Sequence, residues 1–295
     1  MMKKLSLFLV VLGMIVVSSG AHAHTKFGKT LEFGNHTIYY EVRGQAEKTL
    51  VFIHGWTASL ESWKFQLDAF PTYRVIAIDL PGNGNSSKHE TAEYTMEFFA
   101  DSVQAVLTEE QVGNAVCFGH SMGFAVTEVM SQKYPDACIG IGSIDGAHFE
   151  VPDDEDARNA WVEYNRSFAE SLNEETGREA FLNMLFLPDT PRILREEVFA
   201  MSRQVPLSIG KAMIAGAEKD MPYWAKRTME IPCLAVYSPV YQLTDEYKRD
   251  FEAMYPQVEY HEIDHVSHFL MLEIPYIINQ LIYDYLENTI YHDNP

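Results

Sequence analysis

Five consecutive residues carry the strongest chemical signal in the chain, Gly119-His120-Ser121-Met122-Gly123. A G-x-S-x-G between a strand pattern and a helix pattern sets its serine on a sharp turn, with the hydroxyl raised above a sheet as a nucleophile. The glycines remove side chains that would collide with neighbouring backbone. The N–H of Met122, at the helix start, points where an oxyanion would form, which makes it a candidate oxyanion-hole donor. The plain alternative is a glycine-rich turn bearing a surface serine. A second pattern, His261-Glu262-Ile263-Asp264-His265, matches H-E-x-x-H, which on a helix holds zinc. Here it falls in a strand pattern, where positions four apart are separated by ~13 Å, too far for one metal. His24 has no identifiable partner ligand for copper and reads as a tail histidine, while His54 and His120 read as turn-stabilising residues.

The elements that must position Ser121 are legible from alternating patterns. Thr30 to Phe33 and Thr37 to Val42 flank Gly34-Asn35-His36 as a β-hairpin. Apolar strand runs at Leu50 to Ile53, Val75 to Ile78, Ala115 to Phe118 and Cys138 to Ile144 then alternate with helix patterns near Leu60 to Phe70, Met96 to Glu110 and Met122 to Lys133. Continuous apolar strands alternating with helices predict a mostly parallel sheet covered by helices on both faces. Between 147 and 228 the rhythm changes. The acidic run Asp153-Asp154-Glu155-Asp156 precedes helix patterns at Trp161 to Leu172, Arg178 to Leu187 and Ile193 to Arg203, with no convincing strand. Alternation resumes with strands at Cys233 to Tyr237 and Val258 to Ile263 and helices at Asp245 to Tyr255 and Tyr276 to Leu286. Aromatic residues of the insertion, such as Trp161, Phe168, Phe181, Phe186 and Trp224, suit an apolar substrate pocket and equally a helical core.

With these residues in order, the chain from Thr30 to Tyr291 resembles the α/β-hydrolase fold family. The likeness rests on His54-Gly55-Trp56, on Asp79-Leu80-Pro81-Gly82-Asn83-Gly84-Asn85-Ser86, on the Ser121 turn, and on the late run from His268 to Pro275. It implies that Trp56 gives the second oxyanion N–H, that His268 is the general base, and that the helical insertion is a cap. Elementary chemistry agrees on His268, since a serine hydroxyl is a weak nucleophile until an imidazole takes its proton. Family members that open epoxides or remove halides use an aspartate nucleophile, so Ser121 points to acyl transfer.

The triad acid departs from the family pattern. Where a carboxylate commonly follows the penultimate strand, this chain has Val236-Tyr237-Ser238-Pro239, and a tyrosine is no anion at neutral pH. Asp145, at the end of Ile141 to Ile144, is preferred as the acid. Asp245 is the alternative, though Thr244-Asp245-Glu246 also reads as a helix start.

Composition narrows the partners. Hydrophobic residues make up 47% of 295 and charged residues 22%, an ordinary globular balance. Lys and Arg total 22 against 42 Asp and Glu, a net charge of -20, so nucleic acid and anionic membrane surfaces are poor partners. Lys3 and Lys4, the apolar run Leu5 to Val17 and Ala21-His22-Ala23 read as a secretory signal peptide over 1–23. The expected protein is secreted or periplasmic, with no integral membrane segment after cleavage. Its expected divisions are a core of 24–146 and 229–295 and a cap of 147–228. Three cysteines, Cys117, Cys138 and Cys233, are too few for a disulfide scaffold and leave at least one unpaired within the chain. The reading as a whole is an exported serine hydrolase acting on a small or medium carboxylic ester, with no metal or organic cofactor implied. A lactone, thioester or amide substrate with the same residues, or a ligand-binding relative without catalysis, are the alternatives; oligomeric state is not legible.

Overall fold

The computed structural model describes residues 28–148, 151–241 and 244–292. The expected signal peptide, 1–23, and His24 lie outside the described residues. Eight strands form one sheet: β1 (Gly28–Phe33), β2 (His36–Arg43), β3 (Thr49–Ile53), β4 (Arg74–Asp79), β5 (Ala115–His120), β6 (Cys138–Ile144), β7 (Cys233–Tyr237) and β8 (Val258–Glu262), in the order β1-β2-β4-β3-β5-β6-β7-β8. The β1–β2 and β2–β4 pairs are antiparallel and the rest parallel. Every residue of β3, β5 and β7 is buried, because helices cover both faces, and this is why those strands read as unbroken apolar runs. Phe52 of β3 stacks on Phe118 of β5 with centroids 5.4 Å apart, locking the two strands that lead into the site.

The principal helices of the core are α1 (Met96–Glu109), α2 (Met122–Lys133), α7 (Asp245–Met254), the short α8 (Leu270–Glu273) and α9 (Pro275–Tyr285). The helix expected from Leu60 to Phe70 is instead one 3₁₀ turn, Leu60–Trp63, followed by irregular turns. Local polar groups compete there with helical bonding. The Leu60 N–H donates to the Asp79 carboxylate at 2.7 Å, the Ser62 hydroxyl to the Ser59 carbonyl at 2.8 Å, and the Gln66 amide to Asn279 at 2.7 Å.

Between β6 and β7 the described chain is helical: α3 (Glu155–Ser171), α4 (Glu175–Met184), α5 (Arg192–Arg203), α6 (Leu207–Gly216) and a 3₁₀ stretch, Ala217–Trp224. The acidic run does the work of a helix start, since the Asp154 carboxylate accepts the Ala157 N–H at 2.9 Å and Glu155 and Asp156 meet the positive end of α3. Asp220 ties this segment to the core. Its buried carboxylate accepts the N–H groups of Met96 and Glu97 at the start of α1, at 2.6 and 3.2 Å, while burial raises its pKa to about 6. Among the described residues no helix is long and apolar enough to cross a membrane. Cys117, Cys138 and Cys233 are buried free thiols.

Candidate active site

The sheet order reverses between β3 and β5, and a crevice opens outside the carboxyl ends of strands at such a switch point. The turn from β5 into α2 stands there. A methyl on Gly119 would lie 2.3 Å from the backbone of Gly123, and one on Gly123 would lie 2.3 Å from the Ile53 carbonyl oxygen. Only glycine permits that approach, which is the physical content of the G-x-S-x-G spacing. Ser121 adopts φ 52° and ψ -126°, a conformation that costs a non-glycine residue ~1–3 kcal/mol and persists only where its surroundings impose it. Its N–H donates to the Ile144 carbonyl at 3.3 Å, and its carbonyl accepts the N–H groups of Phe124 and Ala147 at 2.9 Å each.

Asp145 leaves β6 with φ 45°, its N–H donating to the Val236 carbonyl at 2.7 Å. This turn sends its carboxylate to His268, whose Nδ1 stands 2.7 Å from Oδ2. Ser238 completes the acid's surroundings: its hydroxyl donates to Oδ2 and its N–H to Oδ1, both at 2.7 Å. A buried carboxylate is costly unless hydrogen-bonded, and three converging donors meet that need. Asp145 and His268 are almost wholly buried, with side-chain exposures of 0% and 1%. Since Nδ1 faces the carboxylate, Nε2 is the imidazole nitrogen left to exchange a proton.

The backbone of His268 is fixed independently. Its N–H donates to the Leu185 carbonyl at 3.0 Å, and its carbonyl accepts from Nε2 of His120 at 2.9 Å. Burial, reinforced by the nearby His268, drives the pKa of His120 well below its ordinary value, so the ring is a neutral donor. His54 is likewise a tie between loops: Nδ1 donates to the Gly55 carbonyl at 2.8 Å and Nε2 accepts the Leu80 N–H at 3.0 Å. Burial lowers its pKa to about 4.

The structure therefore brings Asp145 to His268, and gathers Ser121, His268 and Trp56 around one small cavity and Ser121, Met122 and Trp56 around another. Asp245 goes elsewhere. It is the exposed first residue of α7, beside Thr244, whose hydroxyl accepts the Tyr247 N–H at 3.1 Å. Tyr237, which occupies the usual position of the acid, shares hydrogen bonds with Ser143 and Tyr247, each at 3.1 Å. His261 lies on β8 and contacts Glu259 at 2.8 Å, and His265 lies in the turn beyond; among the described residues no three His, Cys, Asp or Glu side chains gather as metal ligands would. Ser238 is the site residue that sequence reasoning missed. The available signal was a small polar residue directly after β7, the strand that neighbours β6.

A mostly parallel sheet with serine, histidine and aspartate at its carboxyl edge defines a class of α/β protein. The alpha/beta hydrolase fold matches residues 48–275, and the chain belongs to that family. Among curated proteins it is similar to Protein ABHD8 of Mus musculus, 38% identical over 105 residues. That match covers 35% of this chain and 24% of ABHD8, so it spans about a quarter of that relative's length. It is also similar to the (E)-2-((N-methylformamido)methylene)succinate hydrolase of Acinetobacter baylyi, 27% identical over 88% of this chain and 98% of that one. The solved structure of epoxide hydrolase VrEH1 from Vigna radiata matches with a TM-score of 0.72 at 18% identity, over 88% of this chain and 97% of the other, a likeness of fold alone.

Proposed function

We propose that this protein is a serine hydrolase that cleaves carboxylic esters through an acyl-enzyme on Ser121. The observation that carries the reading is the 2.7 Å contact of Asp145 with His268 Nδ1, in a buried pair beside the strained turn of Ser121. In the first half-reaction Ser121 Oγ bonds to the ester carbonyl carbon while its proton passes to Nε2 of His268. The carbonyl oxygen becomes an oxyanion facing the N–H groups of Trp56 and Met122. Collapse breaks the bond to the alkoxy oxygen, which takes the proton from His268 and departs as alcohol. Water then attacks the acyl carbon, gives a proton to His268, and the acid leaves as Ser121 recovers its hydroxyl. Asp145 holds the imidazole's orientation and balances the charge that develops on it.

The test is labelling by a fluorophosphonate together with turnover of short-chain esters. Wild type is expected to label and turn over, while Ser121→Ala loses labelling and loses turnover by a factor on the order of 10⁴ or more. Turnover that survives Ser121→Ala would remove the serine from the mechanism, and ligand binding without labelling would favour a non-catalytic relative.

A further inference from the structure

Two cavities meet at Ser121, and they are unequal. The larger, about 130 Å³, is walled by Met96, Phe168, Met213 and Ile214 and includes Met122. The smaller, about 10 Å³, lies between Gly55, Leu185, His268 and Phe269. Ser121, Trp56 and Phe181 line both. Phe181, on α4, presents a ring edge-on to Trp56, with centroids 5.4 Å apart at 75°, and packs against Phe168 at 5.2 Å and 74°. Its ring is thus held from two directions where the cavities adjoin.

The chemistry of the serine reading gives each cavity a role. In an acyl transfer the carbonyl oxygen turns to the oxyanion donors and the leaving oxygen to the imidazole that protonates it. The cavity that holds Met122 without His268 is then the acyl side, and the one that holds His268 without Met122 is the leaving-group side. An apolar cavity of ~150 Å³ accepts a benzene, so the acyl side has room for roughly five or six carbons, whereas ~10–15 Å³ is about the space that one water-sized group, such as a methyl, needs. Among the described residues no Lys, Arg or His lines the larger cavity, and the Asn165 side-chain amide there already donates to the Trp161 carbonyl at 2.8 Å. A carboxylate on the acyl chain would be buried without a cation.

Resting on that serine-hydrolase reading, we infer that the substrate is an ester joining a short, uncharged apolar acid to a small alcohol, and that Phe181 is the side chain that limits the alcohol. Shortening Phe181 joins the two cavities and admits a bulkier leaving group.

The experiment measures kcat/KM by proton release for methyl butanoate, methyl decanoate, monomethyl succinate and benzyl butanoate, using wild type, Phe181→Leu and Phe181→Ala. Wild type is expected to favour methyl butanoate over each of the other three by about tenfold or more, within the range that misfit in an apolar pocket produces. Phe181→Ala should raise the benzyl-to-methyl ratio by about tenfold, with Phe181→Leu moving it the same way by less. If Phe181→Ala does not fold, the leucine variant alone decides the direction. An unchanged ratio in a variant that still labels with fluorophosphonate overturns the role of Phe181 and leaves the nucleophile standing. Labelling of wild type without turnover of any ester overturns the substrate assignment alone, and neither labelling nor turnover overturns the hydrolase reading as well.

Discussion

A methyl group on Gly119 or Gly123 would stand 2.3 Å from backbone across the Ser121 turn, whereas α3, seventeen residues long, buries Ala169 alone. The sheet edge and the helical segment above it are built to different tolerances. At the edge, backbone meets backbone, and Ser121 and Asp145, both at positive φ, donate their N–H groups to carbonyls of neighbouring strand ends at 3.3 and 2.7 Å. The segment rests on the edge through a shared apolar core, with Phe186 stacked on Phe269 and Phe181 against Trp56, and through polar contacts. Trp56 Nε1 donates to the Gly210 carbonyl at 2.8 Å, the Thr57 and Ser202 hydroxyls meet at 2.8 Å, and the His268 N–H reaches Leu185 at 3.0 Å. Reactive geometry therefore resides in main chain that tolerates almost no change, and cavity shape in side chains that the helical segment contributes.

The largest effect that would break this contrast concerns the acid. Asp145→Asn is expected to lower kcat by a factor on the order of 10⁴, since a triad whose orienter cannot hold the correct tautomer loses about that much. Asp245→Asn, at the exposed start of α7, should remain within about twofold of wild type, like most surface changes. Steady-state turnover of methyl butanoate reads both, and the reverse ranking would move the acid away from the sheet edge seen here. A smaller effect tests the segment. Arg178 is buried, donating to the carbonyls of Ser202 and Val205 at 3.0 and 2.7 Å and pairing with Glu175. Arg178→Met leaves the Val205 carbonyl without its donor, while Ser202 keeps the Val205 N–H at 3.1 Å, and should cost the segment about 1–3 kcal/mol. Hydrogen exchange should quicken across 175–216 while β3, β5 and β6 keep their protection. Equal loss in both regions would show one cooperative unit in place of two layers.

The same contrast decides what was legible in the sequence. The Ser121 turn could be read because its requirement is local: five residues must supply a nucleophile and two places without a Cβ. Asp145 was legible as a polar residue ending an apolar strand. Ser238 was not, because its role arises only when β6 and β7 pair with Ile144 opposite Val236, which brings two distant strand ends together. In the segment, α6 went unread because it contains Gly210 and follows Pro206, and the next 3₁₀ stretch carries Pro222 within it. Such residues break the apolar periodicity on which a helix assignment depends. The expected helix from Leu60 failed for a related reason, since its backbone and side chains bond to Asp79, Ser59 and Asn279, partners that periodicity does not encode.

The smallest effect sharpens the comparison, because one buried group in each region titrates with the opposite sign. His54, at the sheet edge, has a folded pKa near 4 against an unfolded value of about 6.5. The stability its neutral ring contributes is present above 6.5 and is lost as pH falls toward 4, so the penalty of His54→Gln is largest near neutrality and shrinks on acidification. Asp220, where the segment meets α1, has a folded pKa of about 6 against an unfolded value near 3.8. Its contribution is full below 3.8 and is lost as pH rises toward 6, so the penalty of Asp220→Asn is largest near pH 4 and shrinks as pH rises. Each difference from wild type should change by up to about 1.4 kcal/mol per pH unit inside its window. Urea unfolding of the three proteins at several pH values between 4 and 7.5 isolates the two groups, since all other titrations cancel in the difference. Slopes of the same sign would mean that one of these groups is not buried as described. Opposite slopes would make acid a selective probe, weakening the hold on the loops after β3 and β4 while leaving the strut under the helical segment intact.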